Sequence, residues 1–183
     1  MLSEAFLGRI VVLACALGLC LVTLVVSLAL PPHEDAYQYV SAAYFSAAGE
    51  LSIYEDYFHS QTPYMPALMG LWTRLVDLDL VGVYLELRLF NALWTMAFIA
   101  ALAALLHRLS ASALWTVALM LAVFTSSYLD LPIRVVRNDT MPLALTTLAI
   151  LGCLPALRGA PSRAGAWRFG VAAALIGAAA MTK

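Results

Sequence analysis

The stretch Ile10–Leu30, IVVLACALGLCLVTLVVSLAL, contains no charged residue and is closed by Pro31-Pro32. A run of that length and character suits one kind of solvent. A helix crossing a bilayer needs about 17–25 mainly apolar residues, and two prolines then stop it on leaving. The competing reading is a cleaved signal with Ser27-Leu28-Ala29 as its small-residue site. The apolar part of a signal normally spans only about 7–15 residues, so a retained anchor is the better reading.

Composition extends this to the whole chain. Of 183 residues, 63% are hydrophobic and 11% charged, against roughly 45–50% and 25% in soluble globular proteins. Mean hydropathy is +0.89. A water-soluble fold of this size has too little interior to hide so much apolar surface. Low charge and high apolar content also exclude disorder. The formal net charge is −1 and no Lys/Arg cluster occurs, which excludes nucleic acid as a partner. Cys15, Cys20 and Cys153 lie within apolar runs without paired spacing, so they read as small packing residues rather than a disulfide or zinc framework.

Hydropathy predicts an all-α, polytopic transmembrane bundle of about five spans: 10–30, 89–106, 111–129, 140–157 and 169–182. The last is short and Ala-rich, and needs Trp167 and Arg168 as interfacial anchors. Basic residues divide evenly between the two sides. The short loop carrying Arg158, Arg163 and Arg168 without an acid sets the N-terminus inside a plasma or inner membrane. All acids except Glu4 then fall outside, most of them in the long outer segment 31–86.

Within that segment Tyr37, Val40, Tyr44, Phe45 and Ala48 recur at helical spacing, with Gly49 as the stop. A second helix is predicted to start at Pro66 and run PALMGLWTRLV. Both are expected to be amphipathic and to lie along the membrane surface, where they either frame a site or brace the bundle. His33-Glu34-Asp35 directly follows the first span. Carboxylates at headgroup depth can activate an acceptor hydroxyl or amine, or hold a divalent cation; they can also be merely solvated. His33 and His59, near Glu55 and Asp56, are an alternative source of metal ligands, but in no compact ligand motif.

The outer mouth of the fourth span collects Arg134, Arg137 and Asp139, and Lys183 ends the fifth span on the same side. A guanidinium fork matches phosphate oxygens bidentately. The plainer reading is snorkelling arginines with Asp139 as a helix N-terminal charge. Glu86 and Arg88 bracket the start of the second span and can pair with each other or with loop charges.

Taken in order, EDAYQYVSAAYF, YEDYFHSQTPYMP, ELRLFNALW, Arg137-Asn138-Asp139 and GVAAALIGAAAMTK resemble the N-terminal part of GT-C-type membrane glycosyltransferases. The similar subgroup is the dolichyl-phosphate-mannose–protein mannosyltransferase-like and aminoarabinose-transferase-like set. The resemblance spans nearly the whole chain. It implies transfer of a sugar from a polyprenyl-phosphate donor to a protein, lipid or glycan acceptor on the non-cytoplasmic face. Asp35 or Glu34 is then the carboxylate that activates the acceptor. Arg137, Lys183 and Arg134 stabilise the lipid phosphate, while Asp139 and His59 face the same substrates. The acid order here, Glu34 then Asp35, is the reverse of the family's. Such enzymes continue with further spans, so the chain reads as their front part. Two rivals stand beside this reading: a non-catalytic scaffold subunit, and a transporter or flippase, which would place charges within spans and break helices near the midplane.

Overall fold

The computed structural model describes residues 3–29, 34–49, 64–76, 80–110, 112–126, 139–159 and 162–181, and every regular element among them is helical. Four helices are long and apolar enough to cross a membrane: α1 (Glu4–Ala29), α4 (Leu80–Ser110), α6 (Thr140–Arg158) and α7 (Arg163–Met181). The others are α2 (Glu34–Ala48), α3 (Tyr64–Val76) and α5 (Ala113–Phe124).

α1 shows why this bundle suits lipid. Its buried stripe is Val12, Ala16, Leu19, Thr23 and Ser27. Leu13, Leu17, Leu21 and Val25 point outward and are 55–62% exposed. Three of the five buried residues, Ala16, Thr23 and Ser27, are small or hydroxylated, while a row of large apolar side chains faces outward. Helices in a bilayer sort this way, because packing and hydrogen bonds hold them together and lipid is as apolar as leucine. The Thr23 hydroxyl is satisfied within the helix by the Leu19 carbonyl at 2.9 Å.

α4 is the central post. α1 runs antiparallel to it, with Val12, Ala16 and Leu19 packed on Ile99 and Ala103, and Met120 of α5 closing the same cluster. On another face α6 brings Ala144 against Phe98. α7 packs back on α6, and its Ala178 and Ala179 reach the cluster of Val83, Leu87, Met141 and Leu145. The bundle therefore has two ends. One holds the starts of α4 and α6, the finish of α7, and the α2–α3 hairpin. The other holds the start of α1, the α4–α5 turn, and the start of α7, with Gly8 close against Ala113.

Four boundaries differ from expectation. The first span is expected to start at Ile10, but α1 starts at Glu4. The second is expected at 89–106, but α4 starts at Leu80 and carries Glu86 and Arg88 inside the helix. The third is expected at 111–129, of which 111 and 127–129 lie outside the described residues; α5 covers Ala113–Phe124, 12 residues. That is about 18 Å of helix at 1.5 Å per residue, short of a hydrocarbon core of about 30 Å. Its ends are set by polar side chains. Ser112 accepts from the Trp115 amide at 3.4 Å. Thr125 and Ser126 donate back to Leu121 and Val123 carbonyls at 2.8 and 2.6 Å. The fifth is expected at 169–182, but α7 begins at Arg163 and takes Trp167 and Arg168 into its first turns.

Candidate functional site

The two helices predicted in the outer segment are present as an α2–α3 hairpin seated on the first turns of α4. α2 stops at Gly49, whose φ of 69° is the left-handed geometry that glycine tolerates at a helix end. Its amide closes the last turn on the Phe45 carbonyl at 3.1 Å. Arg74 of α3 finishes the job from outside, donating from Nε to the Ala47 carbonyl and from Nη2 to the Ser46 carbonyl, both at 2.8 Å. A cation there also meets the negative pole of the α2 dipole.

The two helices touch at Gly70. A Cβ there would lie 3.1 Å from the Ala43 carbonyl oxygen and from Ser46 Cβ. α3 is in turn fixed to α4 by Trp72, which donates from Nε1 to Glu86 Oε2 at 3.3 Å and whose ring lies 5.6 Å from that of Phe90.

The face that α2 buries is not quite the one its apolar pattern suggested. Tyr39, Val40, Ala42 and Ala43 are buried, whereas Tyr37 is 57% exposed.

Beneath the hairpin, α4 and α6 share a buried polar stripe. Arg88, Asn91 and Thr95 recur at helical spacing along α4, and Arg88 is only 4% exposed. Its guanidinium sits 5.4 Å above the Tyr84 ring. Asn91 Oδ1 accepts a 2.7 Å hydrogen bond from the Thr140 hydroxyl of α6, and Thr95 donates to the Asn91 carbonyl at 3.0 Å. Glu86 and Arg88 have separate surroundings. Residues two apart on a helix do not face one another, and Glu86 turns to Trp72 while Arg88 enters the bundle.

Asp139 is the residue before Thr140 and the N-cap of α6. Its side chain makes no capping hydrogen bond, and its carbonyl accepts from the Leu143 amide at 3.4 Å. It therefore stands at the hairpin end, one residue from the Asn91 contact, and is half-buried.

Of the predicted site residues, the structure brings the first turn of α2, with Glu34 and Asp35, and Asp139 to this one end of the bundle. His59, Arg134, Arg137 and Lys183 lie outside the described residues, as do His33, Glu55 and Asp56. Among the described residues no three His, Cys, Asp or Glu side chains converge as a metal group would. Arg88, with Asn91 and Thr140, is the part that sequence reasoning left out of the site. Its signal was there in ELRLFNALW: a charge and an amide three apart within an apolar run. A buried ionisable residue on a helix long and apolar enough to cross a membrane is a candidate for a site, since burying its charge is costly.

The architecture is that of a helical membrane bundle with a buried polar stripe at one end. No protein-family model, characterised protein or solved structure matches the chain.

Proposed function

We propose that this chain forms the donor end of an integral membrane glycosyltransferase, which moves a sugar from a polyprenyl-phosphate carrier to a protein, lipid or glycan acceptor on the non-cytoplasmic face. The observation that carries the reading is Arg88, buried in α4 at the end of the bundle where the α2–α3 hairpin packs. The order of motifs in the sequence supports it.

In this reading the N-terminus is cytoplasmic and the α2–α3 hairpin lies along the outer surface. Asp35 takes the proton from the acceptor hydroxyl or amine as that atom bonds to the anomeric carbon. The bond from that carbon to the phosphate oxygen breaks, and its electron pair leaves with the lipid phosphate. Negative charge grows on that phosphate, and preorganised cations in a partly dry site stabilise it without reorganising. Arg137, Lys183 and Arg134 take this role directly. Arg88 adds a fixed positive field from below, and Asp139 and His59 face the substrates. A divalent cation remains an alternative ligand for the outer acids. The test is sugar transfer from a labelled polyprenyl-phosphate sugar in proteoliposomes. Product that depends on the lipid-linked donor supports the reading, and donor turnover equal to that of empty vesicles contradicts it.

A specific observation favours a second reading, a scaffold subunit. Ala166, Gly170, Ala173, Gly177 and Ala180 form an exposed small-residue stripe along α7, the kind of surface that other membrane helices pack on. The transporter reading gains Arg88 as a charge within a span, yet α4 continues unbroken through it.

A further inference from the structure

At the end of the bundle away from the hairpin, α6 and α7 leave a groove of about 300 Å³ between them. Leu148, Ala149, Gly152, Val171, Ala172 and Leu175 make its walls. Trp167 and Arg168 stand at one end of it, and they are its only lining residues with a polar side-chain group. The groove is open at Gly152, where an added Cβ would meet nothing within 4 Å. From Arg168 to Leu175 is two turns of α7, about 10 Å of depth, against roughly 15 Å for half of a hydrocarbon core.

An apolar channel with a cation and an indole N–H at its mouth has the shape of a phospholipid. Charge selects which one. Arg9, Arg108, Arg163 and Arg168 belong to this end of the bundle, where Glu4 is the one acid among the described residues. Basic pockets between membrane helices attract anionic headgroups. We propose that this groove binds one anionic phospholipid, an acyl chain between α6 and α7 and the phosphate on Arg168. The site is independent of the catalytic reading, which concerns the opposite end of the bundle.

The test is native mass spectrometry of the delipidated protein in detergent, titrated with phosphatidylglycerol and with phosphatidylcholine of the same chains. One phosphatidylglycerol should bind about fivefold tighter than phosphatidylcholine, the increment expected of one arginine near a headgroup. R168Q should abolish that preference. R163Q, on the same helix but off the groove, should keep most of it. G152L should weaken both lipids by filling the channel, with circular dichroism and a single gel-filtration peak confirming that each variant folds. Equal affinity for the two lipids, an R168Q variant that discriminates like the wild type, a G152L variant that binds both lipids like the wild type, displacement of the lipid by inorganic phosphate alone, or a dimer mass in place of bound lipid would each overturn the assignment.

Discussion

Thr140 donates a 2.7 Å hydrogen bond to Asn91 Oδ1, joining the start of α6 to α4 across 49 residues of sequence. The bond lies in the buried stripe that Arg88 begins, one residue from Asp139. Its geometry links the stability of the bundle to the position of the candidate site.

The pair should be energetically coupled. Asn91→Ala and Thr140→Val each remove one partner and leave the other buried. In an unfolding titration with a denaturing detergent, the double variant should cost less than the sum of the singles by about 0.6–1.7 kcal/mol, the range for hydrogen bonds between membrane helices. Strict additivity would mean that the bond contributes nothing to the bundle.

Gly70 should resist even a methyl group. The atoms that a Cβ would press on include the Ala43 carbonyl of α2, and backbone cannot swing aside as a long side chain can. Gly70→Ala should push α3 off α2 and destabilise the hairpin by about 1–3 kcal/mol, as overpacking does. Faster hydrogen exchange confined to α2 and α3 is the expected signature. Gly152→Ala, into open space, is the matched control.

Arg88 should act on the donor. In the proposed enzyme Arg88→Lys keeps the charge and Arg88→Gln removes it. Donor KM should rise strongly in the Gln variant and mildly in the Lys variant, with acceptor KM near that of the wild type. Arg88 also packs over Tyr84, so each variant is checked for its folded fraction first. A Gln variant with wild-type donor KM would remove Arg88 from the phosphate site.

Much of this architecture was readable in the chain. The apolar run Ile10–Leu30 pointed to a membrane bundle, and Gly49 marked the end of α2 because its φ of 69° suits glycine; α3, expected to start at Pro66, starts at Tyr64. What escaped was decided by tertiary contacts. Glu86 and Arg88 suggested that the second span begins after them, because charges inside an apolar helix are costly. The structure keeps both within α4 by giving Glu86 the Trp72 indole and Arg88 the Tyr84 ring. Apolar character placed Tyr37 on the packed face of α2, yet α3 and α4 cover a face turned towards Tyr39 and Ala43. Spacing also leaves open which of Glu34 and Asp35 activates the acceptor.

The most direct test is therefore the contrast between two neighbouring acids. Sugar transfer from a polyprenyl-phosphate donor is measured for Asp35→Asn and Glu34→Gln in the same proteoliposomes. Loss of a general base typically costs about 10²–10⁴-fold. The account predicts a loss of that size for Asp35→Asn and near-normal turnover for Glu34→Gln. Full activity in Asp35→Asn, or an equal and complete loss in both, would contradict it.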